Sequence, residues 1–245
     1  GPAVDAAGTA TILYALLFIY GGIWVASLLI PEQARGGEGE AHLSMRGTLM
    51  KPTIIAFFVA CFLMQAGHGA YYTFYSIYLE DFGYSKAVIG QLWALGVLAE
   101  VVLFVFFMHR LLDDLGARAV LLISLLLASA RWVLIALFPE SMPVLLLAQL
   151  LHAATFGSFH AAAIHLVYGY FRGRLQGRGQ ALYSSLSFGA GGAAGSLASG
   201  ALWDTAGPMP TFLAGAVLSL VAFGVALAFL REPDPLPTSP NPDPG

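Results

Sequence analysis

The sequence predicts an all-α protein that crosses a membrane, from its composition, the length of its apolar runs and the placement of its few charges. Hydrophobic residues make up 58% of the 245 and charged residues 10%, with a mean hydropathy of +0.76. That leaves too little polar surface to clothe a soluble globule. A bilayer core about 30 Å thick needs about 20 apolar residues per helix. Seven stretches meet that need: 9–30, 53–79, 87–108, 119–138, 144–168, 181–202 and 211–230. They lack strand alternation, and each exceeds the roughly ten residues of a barrel strand.

Each stretch is justified in turn by its flanks. The first has no basic segment ahead of it and is too long for a signal-peptide core, so it reads as a true span. Arg35, Arg46 and Lys51 follow the first stretch, Arg110 and Arg118 the third, Arg172, Arg174 and Arg178 the fifth, and Arg231 the seventh. In the opposite loops the one basic residue is Lys86, near Glu80 and Asp81, with Glu140 and Asp204 on the same side. Basic residues gather on the cytoplasmic side, so the N-terminus is expected outside and the C-terminus in the cytoplasm, in a plasma (inner) membrane. The net charge of −3 gives no support for nucleic-acid binding.

Composition also divides the chain. Residues 1–30 carry the first span, 31–52 form a linker rich in Gly and charge, and 53–231 hold a six-helix bundle. Residues 232–245 form a tail expected to be disordered, with Pro at 233, 235, 237, 240, 242 and 244. The chain opens on Gly1 rather than Met, and a piece of a longer protein is the simplest expectation.

Chemistry-bearing residues are few. Cys61 is the one cysteine, and no Cys and His spacing resembles a zinc site. There is no phosphate loop, no His-Glu-x-x-His helix and no Gly-x-Ser-x-Gly turn, so neither an enzyme nor a cofactor or metal is expected. Glu100, Arg131 and His152 instead stand near the middle of three successive spans. An ionisable residue there costs about 2.5 to 3.5 kcal/mol or more to insert, which argues for a polar pathway. At 1.5 Å per residue, Arg131 and His152 lie about 12 to 14 Å below the outer face and Glu100 about one turn deeper. One hydrogen-bonded network of the three is therefore expected. Glu100 is either an interhelical ion-pair partner or a proton carrier. Arg131, which stays charged, is either its partner or a clamp for an anionic solute.

Gln65, His68, Tyr72 and Tyr75 recur at helical spacing on the second span, giving it a polar and aromatic stripe. With Arg131 at a similar depth, that stripe suits an aromatic monocarboxylate: a two-pronged donor for the carboxylate and rings for the body. His160, eight residues beyond His152, is expected on a similar helix face and His165 elsewhere, both as packing residues. The serines and glycines of the sixth stretch, with Gly191 and Gly195 in a small-xxx-small pattern, read as a packing surface. Asp113-Asp114-Leu115-Gly116 and Asp204-Thr205-Ala206-Gly207 are similar turns on opposite faces, as an inverted repeat would place them.

Several segments together carry a resemblance: Gly67-His68-Gly69-Ala70-Tyr71-Tyr72, Gly83-Tyr84-Ser85, Leu92-Trp93-Ala94-Leu95-Gly96 through Glu100-Val101, Arg131-Trp132, and Gln149-Leu150-Leu151-His152 with Thr155-Phe156. Over roughly residues 65–230 the chain resembles the major facilitator superfamily, in particular its 3-phenylpropionate permease branch, related to lactose permease-type proton symporters. The resemblance implies helices six to twelve of a twelve-helix carrier, with residues 1–30 as the last helix of an N-terminal bundle. The missing N-terminal six-helix half of the same protein would supply the other cavity wall, and lipid would surround both. It further implies proton-coupled uptake of a small organic solute by alternating access. Glu100, Arg131 and His152 would serve proton coupling, and Arg131, Gln65, His68, Tyr72, Tyr75 and Thr155 the substrate. His152 resembles the histidine of the lactose permease type, with Thr155 where that type has a carboxylate. Asp113, Gly116 and Arg118 resemble the superfamily's Asp-Arg-x-Gly-Arg gating loop, with Ala117 replacing one basic residue, and Asp204 and Gly207 mark its repeat. Sugar or nucleoside symport is the alternative, and a seven-helix receptor the rival class, although the last span has no lysine for a retinal Schiff base.

Overall fold

The computed structural model describes residues 10–28 and 44–233; helices fall on each of the seven expected stretches, and no strand occurs among the described residues. Two compact units divide the chain, 1–39 and 40–245. The first holds α1 (Ala10–Leu28), a helix without a single Asp, Glu, Lys or Arg. Its described side chains, Tyr14, Leu17 and Phe18 among them, are exposed, and a helix that is apolar all round is kept from water by a core or a membrane.

The second unit starts with the short α2 (Met45–Leu49), capped by Ser44, whose hydroxyl accepts from the Gly47 N–H. Within the linker expected over 31–52, residues 45–49 are helical, and 31–43 fall outside the described residues. Pro52 opens α3 (Pro52–Asp81), at a position where a missing N–H costs nothing. Ser85 caps α4 (Lys86–Phe106) through the Val88 N–H. The expected third span runs to 108 but breaks at Phe107, and α5 (Met108–Leu115) is a separate short helix. Then come α6 (Ala117–Leu137), α7 (Met142–Tyr170) and α9 (Pro208–Phe229). Between the last two lies α8, a continuous helical run over 176–206.

Five of these helices, α3, α4, α6, α7 and α9, are long and apolar enough to cross a membrane among the described residues. Helix α8 differs from the expected uniform span because a π-helical turn, Ser185–Gly191, splits it into shorter regular pieces rich in Gly and Ser. A second π-helical turn, Ala153–Gly157, interrupts α7.

The two similar turns seen in the sequence share one backbone conformation. Gly116 and Gly207 have φ of +79° and +86°, and each donates its N–H to a carbonyl four residues back, Leu112 and Trp203. Glycine takes positive φ at no steric cost, so each ends one helix and starts the next within a single residue.

Packing falls into two apolar clusters along the bundle. One gathers Phe57, Cys61, Leu121, Leu125, Phe159 and Leu166, the other Tyr71, Tyr75, Leu92, Trp132, Leu145 and Phe212. The expected tail also begins as packed structure: the Glu232 carboxylate accepts the Arg118 N–H at 2.7 Å, and Pro233 lies against Gly169. Residues beyond 233 fall outside the described part.

Helix α3 sits at the centre because glycines let its neighbours approach. A Cβ on Gly195 would stand 2.2 Å from the Ala66 carbonyl oxygen, and one on Gly69 only 2.3 Å from the Gly195 carbonyl carbon. Small residues allow such contacts between spans, where van der Waals packing drives association. Gly69→Ala and Gly195→Ala are therefore expected to destabilise by about 1 to 3 kcal/mol, as overpacking does. Gly192→Ala and Gly224→Ala, where an added Cβ meets nothing within 4 Å, should be neutral. Thermal unfolding of the four variants in detergent checks this, and equal effects at all four would refute it.

Candidate functional site

The three ionisable spans converge as expected, but the contacts between them differ from a single network. His152 Nε2 lies 3.9 Å from Glu100 Oε2, joining α7 to α4. Two glycines permit the approach: a Cβ on Gly96 would stand 2.9 Å from Gln149 Oε1, and one on Gly157 2.9 Å from the Glu100 Cγ. Arg131 forms no hydrogen bond to either partner among those described. Its Nε donates to the Ala148 carbonyl at 2.9 Å, and its guanidinium carbon lies 4.2 Å from the Tyr71 ring centre and 4.5 Å from that of Trp132. The expected hydrogen-bonded triad is thus corrected to a contact between the Glu100 carboxylate and His152 plus a cation held by aromatic faces. Tyr71 lies between the two groups, its ring centre 5.6 Å from that of His152 and 4.2 Å from the Arg131 guanidinium carbon.

A polar bridge holds Tyr71 there. Its hydroxyl donates to Gln149 Oε1 at 2.8 Å, and Gln149 Nε2 donates to the Tyr75 hydroxyl at 2.6 Å. Gln149 is completely buried. Tyr75, expected to contact solute, is likewise fully enclosed and spent on this bridge. Thr155 is buried with its hydroxyl turned back to the His152 carbonyl at 3.3 Å, because it sits in the π-helical turn. Tyr72 is 49% exposed, and its ring lies nearly parallel to Trp93, with centres 6.2 Å apart. Gln65 is buried beside Gly191. The His68 ring packs on Trp132 with centres 4.8 Å apart, and its Nδ1 pairs with the Met64 carbonyl.

The unsatisfied atoms concentrate here. Among the described residues, buried side-chain polar atoms without a hydrogen-bond partner are His68 Nε2, Arg131 Nη1 and Nη2, Trp132 Nε1, His152 Nδ1 and Ser187 Oγ. All but the last lie on four adjoining side chains, and both Arg131 Nη atoms and the Trp132 N–H are obligate donors. With its Nδ1 donating to the Met64 carbonyl, a neutral His68 presents Nε2 as an acceptor, so the unmet donors that could take an oxygen acceptor are those of Arg131 and Trp132. No group of three or more potential metal ligands occurs among the described residues.

Elsewhere, His160 pairs with the Tyr183 hydroxyl at 2.9 Å, a contact between α7 and α8, and His165 is exposed. Arg118 clasps the end of α9: its Nε and Nη2 donate to the carbonyls of Leu230 and Leu227. Asp113 lies 3.2 Å from His109 on the exposed face of α5, and Asp204 is exposed at the end of α8. The loop residues are therefore not gathered into one charge cluster.

Sequence reading missed Tyr71, Gln149, Trp93 and Glu232. The first two had a signal: Tyr71 is three residues past His68 and four before Tyr75, and Gln149 is a turn before His152. Replacing Gln149 by Leu strands two buried hydroxyls and should cost about 1 to 2 kcal/mol. Adding Tyr71→Phe and Tyr75→Phe should recover part of that loss; unfolding midpoints of the single and triple variants read the difference, and no recovery would argue against the bridge.

Known proteins with similar sequences can now be set beside this geometry. The chain is 38% identical over 133 residues to the Escherichia coli (strain K12) "Probable 3-phenylpropionic acid transporter", covering 54% of this chain and 34% of that protein. It is 26% identical over 239 residues to the Bacillus subtilis (strain 168) "Uncharacterized transporter YwbF", covering 94% of this chain and 59% of that one. The chain thus matches well under two thirds of the length of either relative. The MFS_1 like family matches residues 1–214, reaching upstream of the segments that first carried the resemblance and taking in the first helix. By that match the chain belongs to the MFS_1 like family, transporters of the major facilitator type, and is a multi-pass helical membrane protein.

Proposed function

We propose that this chain is the C-terminal half of a secondary active transporter that takes up a small organic acid with protons by alternating access. Arg131 is the carboxylate clamp and Glu100 the proton carrier. The observation that supports this most directly is the pair of buried, unpartnered Arg131 Nη atoms beside the unpartnered nitrogens of His68, Trp132 and His152. Guanidinium offers a carboxylate two parallel donors, and in a dry site such bonds are stronger than neutral ones. The printed name of the Escherichia coli relative supports an aromatic acid.

Arg131 has no exposed surface, so a solute reaches it only when the aromatic wall beside it opens. The partly exposed Glu100 carboxylate lies at the margin, with its side chain 19% exposed and against His152. A proton taken up there removes the negative charge that faces His152 and acts on Arg131, and so couples proton occupancy to the clamp. The N-terminal half of the same protein would close the other side of the cavity. The same reading sets the Lys and Arg-rich loops in the cytoplasm of a cell with this protein in its plasma (inner) membrane.

Arg131→Lys in the complete transporter is expected to weaken acid binding at least about tenfold although charge is kept, because the bidentate geometry is lost. Competition binding of an arylalkanoate and its neutral amide decides it. Equal affinity for the two in the wild type would remove the carboxylate clamp and bring sugar or nucleoside substrates forward. Glu100→Gln is expected to abolish uphill accumulation driven by a proton gradient while counterflow exchange of solute persists. Undiminished accumulation in proteoliposomes would take Glu100 out of the coupling role.

A further inference from the structure

Trp93 is the point where α4 joins the aromatic cluster of α3. Its ring centre lies 4.4 Å from Tyr71, 6.2 Å from Tyr72 at an interplanar angle of 19°, and 5.7 Å from Tyr75 at 87°. The indole N–H donates to the Ser76 hydroxyl at 3.1 Å. Three rings and one hydrogen bond therefore set both the position and the tilt of the indole. The contrast along α4 is sharp, for Val97, Leu98, Val101 and Val105 on the same helix are exposed.

The cation and the indole lie on a line of contacts through one ring. The Arg131 guanidinium carbon is 4.2 Å from the Tyr71 centre, and Tyr71 is 4.4 Å from Trp93. Trp93 is half-buried and Tyr72 is 49% exposed, so this pair forms the accessible side of the cluster whose enclosed side is the donor group. A solute with its charged end at Arg131 would lay its body against these two nearly parallel rings. Flat apolar bodies gain most from such a surface, because ring pairs contribute beyond the area they bury.

We propose that Trp93, held by Ser76 and backed by Tyr72, is the residue that selects ring-bearing acids over straight-chain acids of equal charge. This rests on the reading that Arg131 holds a carboxylate. The test uses four competitors against the complete transporter: 3-phenylpropanoate, its amide, octanoate and octanamide. The acid-to-amide ratio reads the Arg131 clamp, and the ring-to-chain ratio reads Trp93, so the two ideas fail separately. Trp93→Leu is expected to lower the ring-to-chain ratio about 3- to 10-fold while octanoate affinity stays within about twofold. Trp93→Phe should keep most of the ratio, and Ser76→Ala, which frees the indole, should lose part of it. These two milder variants carry the test if Trp93→Leu does not fold. An equal loss for both acids, or an unchanged ratio in all three variants, would overturn the proposal and leave Trp93 a packing residue. A wild-type acid-to-amide ratio near one with a Trp93-dependent ring preference would overturn the clamp alone.

Discussion

The burial of Arg131 is the constraint on which the site depends. A guanidinium taken out of water in the middle of a span loses hydration worth several kcal/mol even after relaxation. A single hydrogen bond to the Ala148 carbonyl does not offset that. Two aromatic faces, Tyr71 and Trp132, supply part of the rest, since a desolvated cation over a ring gains about 2 kcal/mol or more. A carboxylate in the same interior, that of Glu100 beside His152, adds an attraction that is stronger than in water because the dielectric is low. Each of these groups must then be held in turn. Tyr71 is fixed by Gln149, Gln149 by Tyr75, and Glu100 is brought near by the absence of a side chain at Gly157.

Backbone proximity is the other half of the same device. Helix α3 carries His68, Tyr71 and Tyr75 on one face and Gly67 and Gly69 among them. Gly67 stands against Gly215 of α9, and Gly69 against Gly195 of α8. The glycines let the helices touch along their backbones, while His68, Tyr71 and Tyr75 turn towards α4, α6 and α7. The rings of α3 that face α4, α6 and α7 enclose the unpartnered nitrogens of His68, Arg131, Trp132 and His152.

The class of fold, the helical stretches and the approach of Glu100 to His152 were legible in the sequence, because span length and the cost of intramembrane charge are local rules. The partners of Arg131 were not. Nothing in residue spacing states whether a buried cation will meet a carboxylate or a ring; that depends on which face of a neighbouring helix turns inward by a fraction of a turn. Glu232 was unreadable for a related reason. It stands at the head of a Pro-rich tail, and only the folded end of α9 brings it to the Arg118 N–H.

A π-helical turn interrupts both α7 and α8. One extra residue in a turn advances a helix by about 100°, so positions beyond it no longer share the face that 3.6 residues per turn predicts. The turn Ala153–Gly157 comes directly after His152. Thr155 lies inside it and turns its hydroxyl to the helix's own backbone, while Phe156 lies almost parallel to the His152 ring, 10° apart with centres at 5.2 Å. Beyond the turn, His160 meets Tyr183 and Phe188 of α8. Helix α8 makes the same deviation at Ser185–Gly191, and its Phe188 meets Phe156 across the gap. The paired irregularities therefore cap the donor cluster with one aromatic from each helix, closing it on the side towards His160 with carbon and leaving the Tyr72 and Trp93 side as its more open wall.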